Sequence, residues 1–254
     1  MRFPTGFVGH GAPTNALNGA RGETWRRWSQ ALPSPTAILS ISAHYEQAPP
    51  SLGATTTAPL IYDFWGFPDP LYQIDYPAPG APEVARRVEA LLTTETNVVR
   101  EEDRGLDHGT WVPLLHMYPA ADVPVFQLSL PWTNDPRKMF ELGRKLAPLR
   151  DEGVFILGSG NLVHNLRAAD WSNGPTPEWA AEFDNWITEV LAEDREQDLQ
   201  DYRDNPLAGI CHPTQEHFVP LLVAAGAASE HDEVSFPIED FELGSLSMRC
   251  VQFG

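Results

Sequence analysis

The sequence predicts an α/β domain built around a buried sheet, and three observations carry that prediction. Short apolar runs rich in β-branched residues alternate with stretches of helical period along the whole chain. The runs are continuously apolar, as expected of strands covered on both faces. Polar residues, histidines above all, begin where the runs stop.

Taken in order, the run at 7–8 leads into His10, 37–43 (AILSISA) into His44, 123–130 (VPVFQLSL) into Pro131, and 154–157 (VFIL) opens onto Gly158. Residues 245–253 alternate like a final strand. Helices are expected over 82–93, 136–150, 162–168, 177–200 and 215–226, several opening with Pro, whose missing N–H has no partner to lose in a first turn. A further short helix is expected within RGLDHGTWVPLLHMYP, with Pro113 in its first turn. The Pro- and Gly-rich stretch 58–82 reads as a long irregular loop, a length more often functional than accidental.

With 254 residues and 42% hydrophobic content, the chain is expected to form one domain over 1–254. Thirty-five acidic residues against 17 basic ones set a net charge of -18, which repels phosphate backbones and anionic bilayers, so no nucleic acid and no membrane partner is expected. Two cysteines, Cys211 and Cys250, provide neither a disulfide framework nor a thiolate zinc cluster and suit a reducing cytoplasm. No stretch approaches the ~20 apolar residues of a membrane span, and the first residues lack a signal-peptide core. A cytoplasmic location follows as an expectation.

In open α/β sheets the ligand crevice lies beyond the carboxyl ends of the strands. His10, His44 and His164 stand there. One histidine at a strand end is ordinary, whereas three at equivalent positions point to a shared site. Neutral imidazole coordinates a metal without costly deprotonation, and two histidines with a carboxylate or a third histidine leave positions open for substrate and O₂. Glu46, Glu216 and His217 are the candidates for the third ligand. In CHPTQEHFVPLLVAAG, Thr214 is a plausible N-cap and Phe218, Leu221 and Leu222 an apolar face. His217 then lies one turn before Leu221, toward the buried side, which favours it over Glu216.

GSGNLVHN is a poor phosphate loop, because Val163 stands where GxGxxG needs its third glycine. Its glycines suit close approach of a flat substrate, with Asn161 capping a helix and His164 projecting inward. A serine hydrolase fails for want of a GxSxG elbow, and a Cys211–His212 pair is disfavoured because adjacent residues rarely point at each other. Asp107, His108 and Trp111 lie in a Gly-bracketed turn, where Asp107 either positions a substrate or bonds within its own turn. His116 reads as structural and His231 as an exposed loop residue. Arg104 and Arg167 either meet a substrate carboxylate or form surface pairs. Phe64, Trp65, Phe67 and Tyr72 either wall a pocket or pack in the core.

Nearly the whole chain resembles a known family. GHGAPTNAL, ISAHYE, YDFWGFPDPLYQIDYPAPG, RGLDHGTWVPLLHMYP, VPVFQLSL, GSGNLVHNLR and HPTQEHFVPLL, in that order, resemble the class III extradiol ring-cleavage dioxygenases typified by the catalytic subunit of protocatechuate 4,5-dioxygenase, and specifically the DOPA 4,5-dioxygenase branch. The resemblance implies a central mixed β-sheet flanked by helices and a mononuclear non-haem metal. It implies His10 and His44 as metal ligands, His164 as the acid/base catalyst and His217 as third ligand where the wider class has a glutamate. His108 and His212 match positions that line the substrate pocket. The implied partners are a small aromatic diol and O₂, and the implied cofactor is Fe(2+) for activity, with Zn(2+) an alternative occupant in purified protein. HPTQEHF differs from the acidic, asparagine-containing run of the pigment-forming plant enzymes and implies a bacterial-style relative. A zinc hydrolase on the same histidines and a non-catalytic metal-binding relative are the competing readings.

Overall fold

The computed structural model describes residues 2–93, 97–131 and 135–254, and its centre is one six-stranded sheet. The strands are β1 (Thr5–Gly9), β2 (Ala37–Ser42), β3 (Val125–Gln127), β4 (Val154–Gly160), β5 (Val234–Ile238) and β6 (Cys250–Phe253), in the order β3-β2-β4-β1-β6-β5. The first four run parallel, while β6 is antiparallel to both β1 and β5. The sheet is therefore mixed and the class α/β, as expected.

The helices are α1 (Gly19–Ala31), α2 (Pro82–Leu92), α3 (His108–Met117), α4 (Pro136–Leu146), α5 (Glu178–Ala192), α6 (Glu196–Gln200), α7 (Ala208–Cys211) and α8 (Val219–Gly226). Alternate strand residues enter different cores. Val8, Ile38, Phe155 and Leu157 pack with Trp25, Trp28, Trp111 and Leu114 of α1 and α3. Phe7, Leu39, Ile41 and Ile156 pack with Val88, Phe140, Ile187 and Leu222 of α2, α4, α5 and α8. Both sheet faces are buried, which is why the strands read as unbroken apolar runs.

Several expected elements differ from the structure, each for a local reason. No helix forms over 162–168: the backbone N–H of His164 donates across space to Cys211 O at 3.0 Å, and the side-chain amide of Asn165 ties the segment to Ile210 O at 2.7 Å. Asn161 therefore caps nothing and instead donates to Ser247 O. The helix expected over 177–200 divides into α5 and α6 at Asp194, whose φ of 53° ends the first segment. The helix expected from 215 begins at Val219; the Thr214 hydroxyl donates to Glu216 Oε1 instead of capping, and Pro220 occupies the first turn. Of the run 123–130 only Val125–Gln127 joins the sheet, while Leu130–Pro131 pairs with Glu46–Gln47. Pro113 lies in the interior of α3, not its first turn.

The loop 58–82 contains a 3₁₀ turn at Asp69–Gln73 and is pinned by side chains. Trp111 Nε1 donates to Ile61 O, Tyr62 OH to Ile74 O and Tyr76 OH to Tyr118 O. Among the described residues no helix is long and apolar enough to cross a membrane.

Arg150, 1% exposed, ties three parts of the chain together by donating to Phe3 O (2.7 Å), Ala227 O (2.8 Å) and Asp232 Oδ2 (2.6 Å). Burial opposes ionisation of Asp232, but hydrogen bonds from Arg150 and Ser229 outweigh it and hold the carboxyl below its ordinary value. A depressed carboxyl contributes stability that is complete above its unfolded pKa of about 3.9 and fades as acid protonates the folded state. Urea unfolding at pH 7 should show Arg150→Ala destabilised by about 3 kcal/mol, since two carbonyls and a carboxylate lose their donor. The difference from wild type should narrow at pH 3; an equal difference at both pH values would remove Asp232 from the account.

Candidate metal centre

Three parallel strands end side by side, and a histidine follows each end. His10 comes directly after β1, His44 two residues after β2 and His164 four residues after β4. His108 opens α3, and His217 lies in the turn before α8. These five imidazoles line one cavity of about 330 Å³ together with Asp63, Phe64 and Trp65 from the 58–82 loop.

The orientation of His10 traces back to Pro113. Proline has no N–H to offer the carbonyl four residues earlier, so Gly109 O lacks its helical donor. The Ser159 hydroxyl of β4 donates to that carbonyl at 2.5 Å. With its single proton so placed, Ser159 Oγ accepts from His10 Nδ1 at 2.9 Å. His10 therefore carries its proton on Nδ1, and its Nε2 lone pair faces the cavity.

His44 Nε2 lies 3.1 Å from His10 Nε2. Behind it, His44 Nδ1 approaches Asp63 Oδ2 at 3.4 Å. The other oxygen of Asp63 accepts from the backbone N–H (3.1 Å) and Nδ1 (2.8 Å) of His108, which fixes the proton of His108 on Nδ1. Burial, followed by the charges of neighbouring histidines, pushes His10 and His217 well below the usual imidazole value. The same order of causes takes His44 to about 4 and His164 to about 3, His108 acting first on His44 and His212 first on His164. For Asp63, burial opposes ionisation, but the His108 hydrogen bonds and the nearby imidazoles prevail and hold it at about 2.

This donor set fits a divalent transition metal. His10 Nε2 offers only a lone pair, so His44 Nε2 at 3.1 Å either donates to it from a neutral ring or, with its own proton on Nδ1 toward Asp63, shares a cation with it, while burial disfavours the charged imidazolium. Two histidines stand near enough to supply a third nitrogen. Candidate ligand atoms of His10, His44 and His108 lie within 4.8 Å of one another, and those of His164, Glu216 and His217 form a second such group. The set expected from the sequence thus spans both groups. The His217 ring centroid lies 5.4 Å from that of His10 and 5.0 Å from that of His44, against 5.4 and 4.1 Å for His108.

Glu216 Oε1 is 3.1 Å from His217 Nδ1, so this carboxylate stands behind the imidazole. Glu46 is exposed and does not line the cavity. Backbone contact holds His217 in place: Asn161 N–H donates to His217 O at 3.0 Å, and a Cβ on Gly160 would lie 2.0 Å from that oxygen. Only glycine permits this approach of β4 to the His217 turn.

The His164 ring stacks on His217 with centroids 3.4 Å apart and planes 7° from parallel. His212 is placed differently from the other histidines. It lines a second cavity of about 490 Å³ with Glu46 and Glu216, and its Nε2 donates to Leu162 O at 2.8 Å. Asp107 is buried and receives hydrogen bonds from Ser42 Oγ and Gln127 Nε2, both at 2.7 Å, so it anchors α3 to the sheet. Arg104 lies over the Tyr45 ring and donates to His44 O and Asp107, while Arg167 is exposed. His116 accepts its expected structural place, with Nε2 bonded to Asn15 O, and His231 is exposed.

Sequence reasoning missed two residues of this site, Asp63 and Ser159. Ser159 is the one hydroxyl in an otherwise apolar buried strand, and a buried hydroxyl needs a partner. Asp63 stands directly between aromatics in YDFWGF, a carboxylate within the loop already marked as functional. The four loop aromatics divide: Phe64 is buried, Phe67 and Tyr72 half-buried against it, and Trp65 exposed at the cavity mouth.

Neutral imidazoles delivered from several strand ends into an aromatic-walled cavity define a metalloenzyme that acts on small molecules. The chain belongs to the LigB family: residues 12–245 match the catalytic LigB subunit of aromatic ring-opening dioxygenase. It is an extradiol ring-opening dioxygenase, and the dioxygenases of this family are metal-dependent. The 4,5-DOPA dioxygenase extradiol of Escherichia coli K12 is 40% identical, with 100% of this chain and 95% of that protein covered. The protein of the same name from Beta vulgaris is 41% identical, with 98% and 96% covered, so identity does not separate a bacterial from a plant relative. A crystal structure of an uncharacterized protein from Escherichia coli K12 superposes with a TM-score of 0.87 at 37% identity over all of both chains.

Ser159→Ala removes both the acceptor for His10 Nδ1 and the donor to Gly109 O. Metal affinity, measured by chelator competition, should fall by about 10–100-fold. Unchanged affinity would show that the His10 tautomer is set by something other than Ser159.

Proposed function

We propose that this enzyme opens the ring of a DOPA-like or related catechol beside its diol, using O₂ and a single iron(II) held by His10, His44 and His217. The facing Nε2 atoms of His10 and His44, each with Nδ1 already engaged or approached, are the observation that carries the metal assignment. His217 is favoured over His108 because its Nδ1 has a carboxylate of its own in Glu216, whereas His108 shares Asp63 with His44. The catechol itself is supported by the relatives named 4,5-DOPA dioxygenase extradiol.

When bound, the metal supplies the Lewis acidity that acidifies the diol and the electrons that activate O₂. His164 takes a proton from the catechol. At rest it is a weak base, and the negative charge of a catecholate beside it raises its pKa toward the working range. The stack on His217 holds the His164 ring plane, so the same nitrogen returns the proton as the ring opens. His108, protonated on Nδ1, turns an Nε2 lone pair toward a substrate hydroxyl. His212, behind His164, is assigned to the supporting wall and not to contact with the diol. The carbon–carbon bond next to the diol breaks, both oxygen atoms of O₂ enter a muconic semialdehyde-type product, and no external reductant is consumed.

His164→Ala should lower kcat by about 10²-fold or more while metal stays near one per chain. His10→Ala, His44→Ala and His217→Ala should each lose metal, and His108→Ala should retain it. Metal analysis beside O₂ uptake with iron-reconstituted protein decides the matter. Loss in His108→Ala with retention in His217→Ala would exchange their roles. Three imidazoles also accept zinc, so zinc-loaded protein should bind a catechol without consuming O₂.

A further inference from the structure

The rim of the cavity differs in chemistry from its floor. The floor is imidazole, whereas the rim is built from Trp65, Phe67, Leu166, Trp171 and Leu243, with buried Leu246 lining the wall beneath. Trp65 is 86% exposed, Trp171 66% and Leu166 50%, half of the six large apolar side chains that stand exposed among the described residues. Apolar groups gathered in this way mark a contact surface. The cavity volume is of the order found in small-molecule sites and extends beyond a bare catechol ring.

No Lys or Arg is among the described residues that line this cavity. Its one carboxylate, Asp63, has its oxygens turned to His108 and His44. Arg104 is committed to Tyr45, Asp107 and the His44 carbonyl, and the Arg167 side chain lies outside the lining although Leu166 is part of it. The chain as a whole carries a charge of -18. A carboxylate on the substrate would enter against that field and give up water without gaining a cation. An alkyl or aryl group would instead cover the two indoles and the leucines.

We infer that the catechol opened here carries a neutral, apolar substituent seated between Trp65, Leu166 and Trp171, not a carboxylate or an amino acid side chain. The inference rests on the ring-opening reading above, and it separates this chain from the substrate for which its relatives are named.

Three compounds share the ring and a three-carbon substituent that is uncharged in 4-propylcatechol, ends in a carboxylate in 3-(3,4-dihydroxyphenyl)propionate and is zwitterionic in L-DOPA. With iron-reconstituted enzyme, kcat/KM from O₂ uptake should favour 4-propylcatechol by about tenfold or more. Equal or better turnover of either charged compound overturns the inference. Leu166→Lys, at an exposed position, should raise the propionate-to-propyl ratio by about fivefold; an unmoved ratio takes the substituent away from this rim. If none of the three consumes O₂, the ring-opening reading fails, and the substituent is read separately from the rise in unfolding temperature each compound causes. A larger rise with 4-propylcatechol supports the inference, and equal rises overturn it.

Discussion

A missing backbone proton organises the centre of this protein. Pro113 inside α3 leaves Gly109 O without its helical partner, Ser159 supplies the donor, and His10 Nδ1–H then donates its hydrogen bond to Ser159 Oγ. A helix irregularity is thereby converted into a defined imidazole tautomer two elements away. The same hydroxyl joins α3 to β4 and to the end of β1, so the catalytic floor and the helix above it are positioned by one group. The parallel order β2-β4-β1 is what brings these strand ends within reach of each other.

Electrostatics follow from that packing. Five histidines around one cavity would form a strongly cationic patch if protonated, yet burial keeps at least four of them neutral and ready as donors. Asp63 is the counterweight: it remains ionised at the cavity wall by accepting from His108 and approaching His44. The acidic excess of the chain lies elsewhere, and its remaining effect on the site is a long-range field that disfavours anionic visitors.

Much of this was legible in the sequence. The α/β class followed from unbroken apolar runs, and those runs are unbroken because every parallel strand has helices on both faces. His10, His44 and His164 were visible as residues following strand ends, a position set by local chain order. What escaped depended on contacts between distant segments. The expected helix over 162–168 is absent where Cys211 O takes the His164 N–H and the Asn165 side chain is held to Ile210 O. His212 faces the second cavity because its ring is fixed to Leu162 O. Ser159 and Asp63 matter through partners 149 and 45 residues away, which no periodicity records.

The approach of Gly160 to the His217 carbonyl has a consequence for how such an enzyme diversifies. Main chain rests on main chain there, with no side chain between to be enlarged, trimmed or repacked. The spacing between the imidazole floor and the sheet therefore has no adjustable shim, and drift in the surrounding core reaches it only by moving whole strands. The rim has the opposite character, since Trp65, Leu166 and Trp171 project from loops and can be exchanged singly. A lineage built on this scaffold would keep its chemistry constant and acquire new diets at the mouth.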